Sequence, residues 1–120
     1  MANDNRLFEI KEGVNITDEV VAIVAGLAAT EVEGVESLTG GLTNTIISKT
    51  GMNKLQKGVR IVKNADDSIT VRLSLSILYG YEIPTICGQV QDKVKASIEN
   101  MTGITVNEVD IRIATVSVVK

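Results

Sequence analysis

The sequence predicts an α+β single domain in which two helices pack on one face of a small antiparallel or mixed sheet, in the order (β)αββαβ. Residues 17–34 and 83–103 repeat apolar side chains at the three- and four-residue spacing of a helix, and each stretch ends at a glycine. Residues 69–77 alternate apolar and polar side chains, as a half-buried strand does. The length of 120 residues suits one domain, assigned to residues 7–120 after a disordered terminus at 1–6.

The chain is expected to open with a short strand and then the first helix. In the strand, which starts at Leu7, Phe8 and Ile10 share one face. The helix begins after Thr17, whose side chain suits an N-cap, and Asp18 follows at the favourable end of the helix dipole. Its apolar face is predicted to be Val20, Val24, Leu27, Ala28 and Val32. We interpret its flank of small residues as packing inside the monomer rather than a self-association surface: Ala22, Ala25, Gly26 and Ala29.

The stretch 36–58 follows neither period and is predicted to be a long loop, with a weak helix within 45–57. Positive charge is concentrated here, because Leu42 to Lys63 carries five cations and no acid in a chain whose net charge is −3. These candidate partner-binding residues are Lys49, Lys54, Lys57, Arg60 and Lys63. Such a segment can bind anionic lipid headgroups, nucleic acid or an acidic protein, or can be a solvated loop and strand edge.

A β-hairpin is predicted next. Val59 to Val62 is typical of a strand, and residues 64–68 have the composition of a turn. The second strand of the hairpin alternates at period two, and its buried face is predicted to be Ile69, Val71, Leu73, Leu75 and Ile77.

The second helix and the last strand complete the predicted order. Pro84 suits the first turn of the helix, where its missing amide would have no partner, and Gly103 suits its end. The stripe facing the core is predicted to be Ile86, Val90, Val94, Ser97, Ile98 and Met101. In the strand, the apolar residues change parity near Ala114 and Thr115, so a bulge is needed there to keep both sets inside.

Composition excludes several classes of protein. The chain has no histidine, which removes the commonest general base and the commonest metal ligand. Its single cysteine excludes an internal disulfide and fits a reducing compartment. The first residues lack the features of a signal peptide, and no apolar run is long enough to span a bilayer. We therefore expect a cytoplasmic protein.

Three features resemble parts of known sites, and we interpret each as structural. Cys87 lies in the first turn of the second helix, but a nucleophilic thiol would need a base beside it. The acidic pairs at 31/33, 66/67 and 108/110 lack the ligand density of a calcium loop. The glycines at 40, 41 and 51 do not have the spacing of a phosphate-binding loop. No catalytic residue, metal or cofactor is predicted.

Two longer stretches carry a family signature. YGYEIP at 79–84 is followed by VQDKVKASIENMTGITVNEVDIRI, and ITDEVVAIVAGLAATEVEGV stands at 16–35. They resemble the C-terminal and N-terminal signatures of the alkaline shock protein family, small envelope stress response proteins of Gram-positive bacteria. Lys57-Gly58-Val59 is similar to the start of the central strand of that family. The resemblance covers about residues 8–118.

The resemblance implies a non-enzymatic structural or adaptor protein of the cell-envelope stress response and homeostasis, cytoplasmic and close to the membrane. Such a protein acts by protein–protein association, with a membrane-anchored partner or with further copies of itself. Two alternatives stay open. One is a KH-like nucleic-acid-binding module, suggested by the αββαβ order although its GXXG loop is missing. The other is a regulator linked to fatty-acid metabolism, as in some branches of the family.

Overall fold

The computed structural model describes residues 7–39, 43, 46–47 and 58–118. Within these residues it contains six strands and two helices, which confirms the predicted α+β class. In chain order they are β1 (Leu7–Lys11), β2 (Val14–Thr17), α1 (Asp18–Thr30), β3 (Val35–Leu38), β4 (Val59–Lys63), β5 (Ile69–Leu78), α2 (Ile83–Thr102) and β6 (Val106–Ser117). Strands β2 and β3 are additions to the predicted order, and β3 shows that the predicted loop is wrong at 36–38. Residues 46–47 are helical, in agreement with the weak helix predicted there. The expectations for residues 1–6 and for the rest of 45–57 fall outside the described residues.

β5 is the centre of a four-stranded mixed sheet, because each other strand of that sheet pairs with it. β6 runs parallel to β5 along one edge. β3 and β4 run antiparallel along the other edge, one after the other, with β3 beside residues 75–77 and β4 beside residues 69–73. The predicted β4–β5 hairpin is therefore confirmed.

β3 and β4 meet at Ser74. The amide of Thr39 donates to the Ser74 carbonyl at 2.9 Å, and the amide of Ser74 donates to the Gly58 carbonyl at 2.9 Å. A Cβ atom at Gly58 would lie 2.8 Å from the Cβ of Leu38, so the two chain segments approach too closely for any larger residue. Residues 39 and 58 therefore lie beside the same residue of β5.

The two helices pack on one face of this sheet, as predicted. α1 contacts β3 and β4, α2 contacts β6, and the helices contact each other. The predicted inner face of β5 is confirmed, since each of its members is at most 2% exposed: Ile69, Val71, Leu73, Leu75 and Ile77. We call this the covered face of the sheet, and the opposite one the open face.

The start of α1 is confirmed, but its predicted apolar face is wrong in part. Thr17 accepts a hydrogen bond from the amide of Val20 at 3.3 Å, as an N-cap does. Val20 itself is 44% exposed, whereas Val21 is fully buried. The small residues predicted to pack inside the monomer do so: Ala22, Ala25, Gly26 and Ala29. Because α1 is apolar on almost every side, its periodicity could not choose the face, and contact with both α2 and the sheet favoured the small residues.

Both predicted ends of α2 are confirmed. Pro84 lies in the first turn, and Gly103 adopts a left-handed φ of 78° while its amide donates to the Glu99 carbonyl at 2.9 Å. The predicted buried stripe holds at Ile86, Val90, Val94 and Ile98. It is wrong at Met101, which is 70% exposed. The stripe keeps a strict four-residue step, so its next member is Thr102, whose hydroxyl donates to the Ile98 carbonyl at 2.7 Å.

A bulge in β6 and a hairpin at the N-terminal side complete the fold. Ile113 pairs with Leu75 and Thr115 with Ser76, so Ala114 is the extra residue of the predicted bulge. The expectation that the bulge keeps both apolar sets inside is wrong, since Val116 is 43% and Val118 69% exposed. β1 and β2 form a separate two-stranded antiparallel sheet. The predicted strand from Leu7 is confirmed, and its Phe8 is 4% exposed within the core.

Candidate interaction surfaces

The structure describes two of the five candidate partner-binding cations and places them on different faces of β4. Arg60 lies on the open face, directly opposite Arg72 of β5. Lys63 lies at the end of β4, where its Nζ atom is 5.2 Å from the centre of the Phe8 ring and donates to the Leu7 carbonyl at 3.4 Å. The remaining three, Lys49, Lys54 and Lys57, fall outside the described residues. The two described cations of the basic segment, residues 42–63, therefore do not belong to one continuous surface.

Arg60 belongs instead to a group of three arginines on the open face, which we call the arginine face: Arg60, Arg72 and Arg112. Arg72 pairs with Asp110 of β6, and its Nε atom lies 3.7 Å from the Asp110 Oδ2 atom. Arg112 pairs with Ser74. Together these side chains line an open depression of about 340 Å³.

Sequence reasoning missed this group because two of its members lie outside the basic segment. The signal was nevertheless present in the period of two, since Arg72 and Arg112 both occupy polar positions of their strands. What the sequence could not supply was the register that places Arg72 between Arg60 and Asp110.

The acidic pairs have the surface and turn roles expected of them. A hydrogen bond with Asp110, and then the negative charge of Asp110, raise the pKa of Glu108. In the β4–β5 turn, hydrogen bonds from the Ser68 side chain and backbone lower the pKa of Asp66. Within the described residues, no group of three or more cysteine, aspartate or glutamate side chains could hold a metal ion.

A second surface lies where β5 ends and α2 begins. Four large apolar side chains line an open groove of about 670 Å³, which we call the tyrosine groove: Tyr79, Tyr81, Ile83 and Val116. Their exposures range from 38% at Ile83 to 73% at Tyr79. Glu82 is the one charged residue that lines it, and its carboxylate accepts a hydrogen bond from the Thr85 hydroxyl. A cue to this groove is present in the sequence, since two of its three aromatic residues flank Gly80 in a turn.

Cys87 does not have the surroundings of a reactive thiol. It is half-buried in the first turns of α2, and burial raises the pKa of its thiol. A nucleophilic cysteine needs the opposite shift, because the thiolate is the reactive form. The geometry therefore agrees with the structural role expected from the sequence.

Neither helix of the described chain combines the length and the apolar character needed to cross a membrane. The described residues thus form a small α+β protein whose two helices cover one sheet face and whose open surfaces are an arginine face and an apolar groove.

The chain belongs to the alkaline shock protein 23 family, described as having a cell envelope-related function, whose model matches residues 7–118. It is 35% identical over 100 residues to the uncharacterized protein YqhY of Bacillus subtilis, covering 83% of this chain and 73% of that one. It is 30% identical over 111 residues to YloU of the same organism, covering 88% of each. Spy1614 of Streptococcus pyogenes is 30% identical over 112 residues, covering 91% of this chain and 92% of that one. No solved structure matches the chain.

Proposed function

We propose that this protein is a non-enzymatic adaptor in the cell-envelope stress response and homeostasis, acting in the cytoplasm by association with a membrane-anchored protein. The observation that carries the proposal is the tyrosine groove, which exposes four large apolar side chains, three of them inside the C-terminal family signature. Contiguous apolar surface that a folded chain leaves open is characteristic of protein–protein interaction sites. Tyrosine is also among the residues enriched where such interfaces bind most strongly.

The groove also favours one kind of partner. Its walls are apolar, and its one charged lining residue is Glu82, so an apolar segment that carries a lysine or arginine is complementary to it. Membrane proteins present such segments on the cytoplasmic side, where basic residues accumulate next to the end of a transmembrane helix. A juxtamembrane segment of this composition is therefore the proposed occupant.

The non-enzymatic part of the proposal is supported by the chemistry of the chain. The sequence contains no histidine, and the pKa of its one thiol is raised rather than lowered. Both facts disfavour acid–base and nucleophilic catalysis at neutral pH.

Self-association is a second mode of association that we propose for the chain, and β6 supports it. Among the described strands β6 pairs only with β5. Side chains of α2 bond the Val106 amide and the Val109 carbonyl, and the outer edge beyond Val109 pairs with no described strand. Unpaired strand edges are templates for pairing with another chain. Sedimentation velocity over a range of protein concentrations tests this mode, and a single monomeric species throughout would contradict it.

Site-specific photo-crosslinking in living cells tests the proposed adaptor role. A photoreactive residue in place of Tyr79 should form an adduct with an integral membrane protein, because Tyr79 is the most exposed member of the groove. The matched control is Met101, which is 70% exposed near the end of α2 and outside the groove. The expected result is an adduct at position 79 whose peptide maps to a juxtamembrane segment of the partner, and none at position 101.

Two results would count against the proposal. Identical adducts at both positions would indicate non-specific contact, and adducts confined to soluble enzymes would place the protein elsewhere. A Val116→Ser variant supplies an independent readout, since it removes apolar surface at the 43% exposed edge of the groove while the described core stays unchanged. It should weaken the adduct at position 79 without lowering the melting temperature.

A further inference from the structure

We propose that the arginine face is a binding site for a small phosphate-bearing molecule, held by Arg60, Arg72 and Arg112. The site is distinct from the tyrosine groove, and the two share no lining residue. The proposal therefore goes beyond the adaptor role and stands or falls independently of it.

Three strands bring the arginines together. Arg60 of β4 and Arg72 of β5 are directly opposite in an antiparallel pair, so their Cβ atoms are about 4.5–5.5 Å apart. Arg112 lies on β6, two positions beyond the residue that pairs with Arg72. All three side chains project from the open face, and all three are exposed.

The middle of the site has little side-chain bulk. Ser74 lies beside Arg112, Gly58 lies on the other side of Ser74, and both line the depression. Gly58 must be glycine because Leu38 approaches it, and the hydroxyl of Ser74 accepts a hydrogen bond from the Thr39 hydroxyl at 2.6 Å. The depression of about 340 Å³ lies at the small end of the range for small-molecule pockets, roughly 300–1,000 Å³.

The charges of the site are incompletely compensated. Two arginines directly opposite each other on neighbouring strands repel, which destabilises the sheet unless an anion lies between them. The one carboxylate that lines the depression is Asp110, and its 3.7 Å separation from Arg72 exceeds the roughly 2.7–2.9 Å of a charge-assisted hydrogen bond. Glu108, which hydrogen-bonds to Asp110, also interacts with the charge of Arg72 but does not line the depression. Within the described chain, Arg60 and Arg112 form no ion pair.

These features favour a phosphate over other anions. The lining residues carry a net charge of +2, which a phosphate monoester of charge about −1.5 to −2 would balance. Guanidinium groups bind phosphate through two parallel hydrogen bonds, and three of them around one centre suit the oxygens of a tetrahedral group better than those of a planar carboxylate. The part of the 340 Å³ depression that the phosphate group does not fill accommodates the rest of a small ester.

A nucleic acid fits the same face less well. Binding of a single strand uses aromatic platforms, and the residues that line the depression include none. The carboxylates of Glu108 and Asp110 stand along β6 next to the site, where a continuing phosphate backbone would meet them.

Titration of the full chain with glycerol phosphate at low ionic strength, followed by NMR of the amides, tests the proposal. The expected result is saturable shifts centred on Arg60, Arg72, Ser74 and Arg112. Arg72→Gln should weaken binding at least about tenfold, because it removes one bidentate partner and exposes Asp110. Arg72→Lys should recover only part of the loss, since it restores the charge but not the planar fork. The matched control is Lys95→Gln, which removes one charge from the exposed side of α2.

Vesicle flotation separates the sources of the phosphate. Binding of glycerol phosphate without binding to phosphatidic acid vesicles assigns a free metabolite, and stronger binding to those vesicles than to phosphatidylcholine assigns a lipid headgroup. Either result supports the site if Arg72→Gln abolishes it and Lys95→Gln does not. Equal losses in the two variants, or no binding of either probe, would overturn the proposal. So would binding of single-stranded RNA whose strength grows with its length. Arg112→Gln replaces Arg72→Gln if the latter does not fold.

Discussion

Gly34 lies at the contact between α1, β3 and the start of α2, and its backbone has a left-handed φ of 98°. A Cβ atom there would be 2.8 Å from the Ile86 Cδ1 atom and 2.8 Å from the Tyr81 Cδ1 atom. Both the backbone conformation and the space therefore require glycine. The ring of Tyr81, which lines the tyrosine groove, packs over this glycine.

Gly34→Ala is expected to destabilise the protein by about 2–5 kcal/mol, because a left-handed alanine costs about 1–2 kcal/mol and an overpacked contact about 1–3 kcal/mol. Gly88→Ala is the matched control, since it lies inside α2 and no heavy atom comes within 4 Å of its Cβ position. The control should gain about 0.5–1 kcal/mol from helix propensity. Urea denaturation measures both, and equal changes of the same sign would refute the expectation.

Glu108 makes a pH-dependent contribution to stability. Its pKa in the folded state is raised above the ordinary value of 4.5, mainly by the hydrogen bond with Asp110, so the folded protein holds this proton more tightly than the unfolded chain does. The contribution is complete below pH 4.5 and is lost as the pH rises through the folded pKa.

Glu108→Gln is expected to remove this dependence, because an amide keeps a donor for Asp110 and does not ionise. Relative to the wild type, the variant should gain thermal stability as the pH is raised from about 4 to about 7, and the difference should then level off. Melting temperatures across this range provide the measurement. The control is Glu12→Gln, an exposed residue between β1 and β2 of the other sheet, and a parallel trend in both variants would contradict the assignment.

Which residues could be predicted depended on the range of their interactions. Thr17, Pro84 and Gly103 were predicted because caps act on backbone groups within one helical turn. The neighbours of Arg60 in the arginine face were not predicted, because they lie on other strands and no local sequence pattern gives the register between strands.

In α1, packing against neighbouring elements rather than the apolar periodicity of the sequence decides which face is buried. Valine occupies positions 20 and 21, yet only Val21 is buried, because the close approach of α1 to α2 requires the face that holds the alanines. A periodicity argument works for α2, whose faces differ strongly in polarity, and fails for a helix that is apolar almost all round.

The neighbouring valines therefore provide a direct test of this face. Val21→Ala should cost about 1–3 kcal/mol, since it opens a cavity at a site with no exposed surface. Val20→Ala should be neutral or slightly stabilising, because Val20 is 44% exposed and alanine is the better helix former. Chemical denaturation of the two variants decides between the faces, and the reverse order would restore the face predicted from the sequence.

In the main sheet, β3, β4 and β6 are each hydrogen-bonded to β5 and do not pair with one another. Each pairs with β5, whose inner face is at most 2% exposed, whereas β1 and β2 form their own sheet. Loss of β5 would therefore remove every strand pairing of the main sheet, whereas the β1–β2 hairpin can separate from that sheet without breaking any of them.

Amide hydrogen exchange should show two levels of protection. Amides of β5 should exchange only through global unfolding and be the slowest, whereas those of β1 and β2 should exchange faster through local opening. Mass spectrometry or NMR measures the difference. Equal protection of β1 and β5 would show that the hairpin and the sheet unfold as one unit.

The overall architecture was predictable because its strongest signals are long. The two helices, the β4–β5 hairpin and the bulge in β6 follow from periodicity and parity. β3 was missed because it has only four residues and its hydrogen bonds are made to a strand more than thirty residues away. For the same reason the arginine face, which three strands assemble, appears only in three dimensions.

The meeting of β3 and β4 at Ser74 has a consequence for the order in which the chain folds. β4 and β5 are joined by a short turn at 64–68, so their hairpin can form early at a small loop-closure cost. β6 follows once α2 has formed the crossover. β3 has to close a much longer loop, and the edge it needs beside residues 75–77 exists only after β5 is extended. We therefore expect β3 to join last, so that mutations in β3 accelerate unfolding while leaving the folding rate almost unchanged.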